Sequence, residues 1–381
     1  MACTAENDQA LNDDPDAILT PEQGSRILPG SMSQDIHQFI NSNIDSASTA
    51  WQRLGGTEHF YRFGNINLRV RHVGNTLVDT VTPAIRHALL HDSPGTFNGT
   101  VYTLDASALS MPKPPEVWPF ATETYQGHQR IHWDPDSGLA LNSDETRGVW
   151  QLFDLAAGNG LYWVKNERTL PSWEAGSPLR IFLHWLAWQT GNQLIHAAGL
   201  EWNRTGILLT GPGGSGKSTT TAAAIKAGWK TIGDDFVLLS DRKTPVASCI
   251  YDTVKLTQQS LDKIAGMAGK VVNLSHSADD KVRVHLGVNY RQQLISELPI
   301  KAVFALQISN MSETSIFPAS KAHIMTALAP TTMFMLKTGM RESFGKMTGL
   351  VNRLPCFVIR LGTSPAEAID KMTVFLAEAG V

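Results

Sequence analysis

The sequence predicts an α/β protein in which a domain built on a strand, a glycine-rich loop and a helix follows a sheet-rich N-terminal lobe. Three observations carry that expectation. Gly206-Ile-Leu-Leu-Thr210 is a short apolar run of strand length, and Gly211-Pro-Gly-Gly-Ser-Gly-Lys-Ser-Thr219 follows it directly. Residues 219–227 are alanine-rich and closed by Gly228, as a helix should be. Upstream, residues 51–169 alternate short extended runs with turn signals, a pattern of antiparallel strands.

The elements follow in chain order. Residues 1–33 are polar and broken by Pro15, Pro21, Gly24 and Pro29, so they are expected to form a loosely ordered leader. Residues 34–172 are assigned to the sheet-rich lobe, with strands at 66–72, 99–104, 148–153 and 160–164. Asp134-Pro-Asp-Ser-Gly138 marks a turn. A helix is expected over 83–91, with Thr82 as cap and Pro83 in its first turn. Ser177-Pro178 opens the next helix in the same manner, over 179–190, at the start of a second domain spanning 173–381. Ile181, Phe182, Leu183, Trp185, Leu186, Ala187 and Trp188 cover most of its circumference, which predicts burial between layers.

Residues 192–199 read as one strand that turns at Asn203-Arg-Thr-Gly206 and pairs with 207–210, bringing His196 near the glycine loop. Apolar runs at 229–232 and 236–239 flank Gly233-Asp234-Asp235. Beyond them come strands at 249–256, 281–286, 301–308 and 355–361, with 301–308 apolar enough to be central, and a helix over 258–268. Ser364-Pro365-Ala-Glu367 has the capping-box spacing for a final helix.

The chemistry is concentrated in residues 196–235. The stretch from Gly211 to Thr219 satisfies G-x-x-x-x-G-K-[ST], a loop whose backbone amides surround phosphate oxygens. The helix N-terminus behind it adds unpaired amides and partial positive charge. Lys217 is expected to reach the β- and γ-phosphates, and the Ser218 hydroxyl to ligate Mg²⁺. Asp234 lies only 17 residues after Lys217. Two carboxylates between strand-like segments suit transfer chemistry: one accepts the proton of an attacking hydroxyl while the other holds the metal directly or through water. Lys255, Arg283 and Arg291 are candidates for a further cation toward the γ-phosphate, with Lys255 ranked first.

Composition sets outer limits. In 381 residues, 32 Lys+Arg stand against 35 Asp+Glu, so no basic nucleic-acid surface is expected. Cys3, Cys249 and Cys356 are widely spaced, which suggests neither a zinc site nor a disulfide framework and fits a reducing, cytoplasmic setting. The acidic N-terminus does not read as a secretory signal, and no run of about 18 apolar residues suggests a membrane span.

With His196-Ala-Ala-Gly199, the glycine loop and Gly233-Asp234-Asp235 within 40 residues, the chain resembles the kinase domain of HPr kinase/phosphorylase. That family's fold is related to ATP-dependent phosphoenolpyruvate carboxykinase. The resemblance implies a catalytic acid or base at Asp234, a neighbouring histidine at His196 and a metal-positioning carboxylate at Asp235. It also implies that Gly211, Gly213, Gly214, Ser215, Gly216, Lys217, Ser218 and Thr219 hold ATP, with Ser218 on Mg²⁺. The position after the loop serine, usually acidic in HPr kinases, is Thr219 here, and the downstream Pro-Val-Arg-Pro-Gly-Arg-Asn segment has no counterpart. The phosphorylase reaction and HPr itself as substrate are therefore left open. The layout is closer to HPr-kinase-related proteins beside peptide-tailoring genes, including kinases that phosphorylate the C-terminal serine of lasso-peptide precursors.

The expected activity is ATP·Mg²⁺-dependent phosphorylation of a serine hydroxyl on a peptide or protein. A carboxykinase-like small-molecule enzyme, a small-metabolite kinase and a non-catalytic ATP-binding sensor are the alternatives. The oligomeric state is open.

Overall fold

Ile36, Phe39, Ile40, Ile44, Ala47 and Ala50 recur at the spacing of one helical face, and they are the buried stripe of a helix, Gly30–Leu54, that lies across the first sheet. The computed structural model describes residues 30–111, 124–125, 129–171, 173–264, 266–267, 271–272 and 281–379. Most of the expected leader, including Cys3, lies outside the described residues. Its last positions, from Gly30 on, belong to this helix.

The first sheet has nine strands, ordered Leu89–Leu90, Gly56–Phe63, Ile66–Val73, Gly99–Asp105, Asn159–Val164, Val149–Asp154, Leu139–Asp144, Gln129–Asp134 and Thr124–Tyr125. The predicted strands are present, but the sheet is mixed rather than antiparallel. Gly99–Asp105 runs parallel to both neighbours, because the chain crosses back over the sheet after residue 73 and returns to 159 through a meander. The Asp134 turn forms as expected, with Oδ1 accepting from the amides of Asp136 and Ser137. The predicted 83–91 helix is instead a 3₁₀ turn, Pro83–Ala88, followed by the edge strand Leu89–Leu90. Thr82 is not its side-chain cap: its backbone is already helical, and its hydroxyl faces Tyr61 and His59.

The buried helix is Arg180–Gln189. Phe182 and Trp185 contact Phe153 of the first sheet, while Leu194, Phe236 and Leu238 of the second sheet join the same core. One hydrophobic core therefore serves both sheets, and each fully buried aromatic contributes about 1.5–3 kcal/mol. Ser177 does not cap this helix. The cap position is Leu179, in a left-handed conformation (φ 55°), and the Ser177 hydroxyl is drawn into the site described below.

The second sheet is ordered Gln193–Ile195, Val237–Ser240, Val246–Cys249, Glu297–Ile308, Thr205–Thr210, Ala198–Trp202 and Lys230–Gly233. Glu297–Ile308 begins antiparallel beside Val246–Cys249 and continues between Thr205–Thr210 and Cys356–Leu361, parallel to both, so it is central as predicted. The expected strand 249–256 is two strands. Val246–Cys249 belongs to this sheet, and Thr253–Leu256 starts a separate three-stranded one with Val282–His285 and Val271–Val272. The helix expected over 258–268 is shorter, Gln258–Asp262, and Ala268 lies outside the described residues.

Two further helices, Lys321–Leu336 and Met340–Arg353, cover one face of the second sheet. The final helix, Pro365–Glu378, packs on the helix that follows the glycine loop. Ser364 caps it by accepting from the Glu367 amide, but the Glu367 carboxylate accepts from the Thr314 amide instead of closing a box. Among the described residues, no helix is long and apolar enough to cross a membrane.

Candidate active site

The strand Thr205–Thr210 delivers the glycine loop to the N-terminus of the helix Lys217–Lys226, the order the sequence predicts. Two glycines make the loop's path feasible. At Gly216 the backbone is left-handed (φ 99°), and a Cβ would sit 2.5 Å from Leu361 Cδ1. At Gly211 a Cβ would sit 2.6 Å from Ser215 Oγ. Gly213 and Gly214 face open space, so the loop backbone is accessible from the cleft. Lys217 Nζ donates to the carbonyls of Gly211 (2.6 Å) and Pro212 (3.3 Å), inside the curve of the loop. Burial lowers its pKa to about 8, against the pull of Asp235 and Asp234. The Ser215 hydroxyl is buried and unpartnered, whereas Thr219 donates to Ser260 Oγ (2.9 Å) and ties the loop helix to Gln258–Asp262.

Asp234 and Asp235 occupy a bend between Lys230–Gly233 and Val237–Ser240, not an extended strand. Their environments differ sharply. Asp235 is fully engaged: Lys255 Nζ donates to Oδ2 (2.6 Å), Ser177 Oγ donates to the same oxygen (2.5 Å), and His196 Nε2 lies 3.4 Å from Oδ1. Burial pushes its pKa up, but Lys255 and His196 together hold it well below the usual carboxylate range. Asp234 has only a long contact from the Lys255 amide to Oδ2 (3.4 Å) and the nearby Ser218 hydroxyl, and its Oδ1 is buried with no hydrogen-bond partner. Burial and the charge of Asp235 raise its pKa to about 6.

His196 reaches this pair because the expected strand 192–199 is broken. Gln193–Ile195 pairs with Val237–Ser240, then the chain kinks at His196 and Ala197, and Ala198–Trp202 pairs with Thr205–Thr210 and Lys230–Gly233. The break lies beside the bend that carries the two aspartates, so two interruptions in neighbouring strands place three polar side chains in one gap. The His196 amide donates to Thr332 Oγ1 and its ring lies against Phe236. Burial lowers its pKa against the pull of Asp235. The histidine contacts Asp235, not Asp234, so the pairing implied by the resemblance falls on the second aspartate of the motif.

These residues line a cleft of about 880 Å³ that the glycine loop, His196, Asp234, Asp235, Lys255 and Arg283 share. Arg291 is exposed and does not line it. Gly176 explains how Lys255 and Arg283 are held. A Cβ there would meet Lys255 Cε at 2.9 Å and Arg283 Cδ at 3.3 Å, and the Gly176 carbonyl accepts from Thr253 Oγ1 (2.8 Å). Sequence reasoning missed Ser177, which it took for a helix cap, and the cleft residues Arg147, Trp173, Arg180 and Lys337. The four lie on separate segments and share no local motif. The cation-rich run of the cleft wall, against two lining carboxylates, suits an anionic ligand.

No protein-family model matches the chain, and no curated protein does. Among solved structures it has a weak likeness to the Hpr(Ser) kinase/phosphatase from Coxiella burnetii, with a TM-score of 0.28 and 10% identity over 49% of this chain and 94% of that one.

Proposed function

We propose that the chain is an ATP- and Mg²⁺-dependent kinase that phosphorylates a hydroxyl, with a serine of a peptide or protein as acceptor. The supporting observation is one juxtaposition: an open glycine loop with Lys217 and Ser218 at its helix start, beside a buried Asp234 whose Oδ1 has no partner. Resemblance to peptide-tailoring kinases favours a ribosomal, lasso-type peptide precursor as the acceptor class. Free, buried thiols at Cys249 and Cys356 fit a reducing, cytoplasmic setting.

On this reading the loop amides and the positive end of Lys217–Lys226 hold the phosphates, and Lys217 leaves the loop carbonyls to neutralise charge on them. The apolar arm of the cleft, at Ile308, Leu361, Pro365 and Ala368, takes the nucleoside. Asp234 accepts the proton of the attacking hydroxyl: it has a free oxygen, and a pKa near neutrality suits proton transfer. The acceptor oxygen forms its bond to the γ-phosphorus as the bond to ADP breaks, and the proton passes to Asp234. Asp235 is too well ionised to serve as base; it positions Lys255 and His196.

The oxygen donors Ser218, Asp234 and Asp235 fit Mg²⁺, which relies on one or two carboxylates plus substrate phosphates rather than an all-protein cage. Ser218 would hold it, with Asp235 acting through water because both its oxygens already have partners. When bound, the metal supplies charge neutralisation across the phosphates.

Equilibrium binding of a fluorescent ATP analogue separates the roles. Lys217→Met is expected to lose binding by tenfold or more, on the order of one charge-assisted contact, and Asp234→Asn to retain it. Loss of binding in Asp234→Asn, or none in Lys217→Met, contradicts the assignment.

A further inference from the structure

Ser177-Pro178 is a local signal for a helix start, yet the helix Arg180–Gln189 has no side-chain cap. Its cap position is Leu179, in a left-handed conformation (φ 55°). A leucine there is strained, and such strain persists only where the surrounding structure over-determines it. The surroundings here are side chains from separate segments that pin residues 174–178. Tyr162 of the first sheet donates to buried Glu174 (2.9 Å), Thr253 Oγ1 donates to the Gly176 carbonyl (2.8 Å), and the Tyr251 hydroxyl donates to the Pro178 carbonyl (3.0 Å). Ser177 is held between these anchors, fully buried, with its hydroxyl turned to the acid pair.

That hydroxyl closes a triangle. It donates to Asp235 Oδ2 (2.5 Å) and accepts from Lys255 Nζ (2.5 Å), which itself donates to Asp235 Oδ2 (2.6 Å). An ammonium has three donors. Ser177 and Asp235 take two, and the third remains for the cleft, which the Lys255 side chain lines. Gly176 acts on the same lysine from its stem: a Cβ there would lie 2.9 Å from Lys255 Cε. The cation is thus held at its tip by Ser177 and along its stem by the close approach of Gly176. Ser177 does not line the cleft, so it is neither a nucleophile nor an acceptor.

We propose that Gly176 and Ser177 are positioning residues for phosphoryl transfer: together they hold the Lys255 ammonium at the acid pair, leaving its third donor for the transferred phosphoryl group. This rests on the kinase reading and adds to it two residues upstream of the glycine loop. Lys255 keeps its proton throughout and donates a hydrogen bond to oxygens whose charge is spread in the transition state. Released from Ser177, the flexible four-carbon stem regains its rotamers and the ammonium loses one of two anchors. An interaction made in the transition state alone shows in kcat rather than in nucleotide affinity.

The test measures kcat with γ-labelled ATP and serine-containing peptide pools, and affinity with a fluorescent ATP analogue. Ser177→Ala is expected to lower kcat about tenfold or more, the worth of one hydrogen bond to a charged group, while nucleotide affinity changes less than about threefold. Gly176→Ala keeps every hydrogen-bonding group and displaces the lysine stem, so it should lower kcat in the same sense; it carries the test if Ser177→Ala does not fold. Either change added to Lys255→Met should have no further effect on kcat, because both act through that ammonium, whereas a merely structural role would multiply with it. A second readout is independent of transfer: in EDTA, acetic anhydride should acetylate Lys255 severalfold faster in Ser177→Ala and Gly176→Ala than in wild type, as mass spectrometry would show. Wild-type kcat in both variants, losses that multiply with that of Lys255→Met, or unchanged acetylation of Lys255 overturns the positioning role. If wild type transfers no phosphate, the kinase reading fails, and faster acetylation in the variants leaves the hold on Lys255 standing.

Discussion

Replacing Asp235 by Asn should destabilise the fold, whereas the same change one residue earlier should not. The Asp235 carboxylate is the counter-charge of Lys255, whose side chain is 13% exposed, and it also accepts from Ser177 and faces His196. An asparagine keeps the volume but leaves a largely buried ammonium without its partner. Breaking a buried pair on one side costs about 3–5 kcal/mol. Some solvent reaches Lys255, so a loss of about 3 kcal/mol is expected. The double variant Asp235→Asn/Lys255→Met removes the stranded charge and should recover at least half. Asp234 is the reverse case: its pKa is raised to about 6, so at pH 7.5 burying its charge opposes folding. Keeping a carboxylate ionised in a site that favours its protonated form to this extent costs about 3 kcal/mol at most, and Asp234→Asn should be neutral or stabilising by up to that amount. Urea unfolding at pH 7.5 in EDTA, followed by far-UV circular dichroism and tryptophan fluorescence, measures all three. Equal losses in the two single variants, or a double variant no more stable than Asp235→Asn, would refute this division of the pair.

Gly216→Ala should strain the loop, because φ is 99° and the new methyl would meet Leu361; a loss of about 1–3 kcal/mol with weakened nucleotide binding is expected. Gly213→Ala has open space around it and should leave the melting temperature unchanged while weakening nucleotide binding, which isothermal calorimetry would show. His184 donates from Nε2 to the Thr338 carbonyl, its Nδ1 is buried without a partner, and burial lowers its pKa to about 4. The unfolded chain takes up this proton near pH 6.5 and the folded chain only near 4. The contribution is therefore complete above pH 6.5 and lost as pH falls to 4, by about 3 kcal/mol. His184→Gln should reduce the loss of stability across that window by about this amount, with His72, also lowered to about 4 by burial, keeping part of the slope, and an unchanged acid-unfolding profile would count against it.

The parts of the molecule that local chemistry determines were legible in the sequence. The glycine loop needs its residue types at fixed spacing, and the Asp134 turn and the Ser364 cap are made by side chains acting on backbone two or three residues away. The central strand Glu297–Ile308 announced itself by its apolar length. Partner choice between distant strands was not legible. Residues 192–199 look like one strand, yet the chain changes partner at His196, and that change is what aims the imidazole at Asp235. Ser177 has every local mark of a helix cap, and only the arrival of Asp235 from the second sheet and Lys255 from the three-stranded one gives it another role. Arg147, Trp173, Arg180 and Lys337 meet only through tertiary packing. The helix Gly30–Leu54 is different, since its stripe from Ile36 to Ala50 was readable from periodicity and was obscured by the polar residues around it.

The central claim, that Asp234 and the loop together transfer a phosphoryl group to a serine hydroxyl, is tested most directly by incubating the protein with γ-labelled ATP, Mg²⁺ and serine-containing peptide pools. The account predicts label recovered as phosphoserine with wild type, and none with an Asp234→Asn variant that still binds nucleotide. Label found only in free phosphate or a small metabolite, or phosphoserine formed at the wild-type rate by Asp234→Asn, would contradict it.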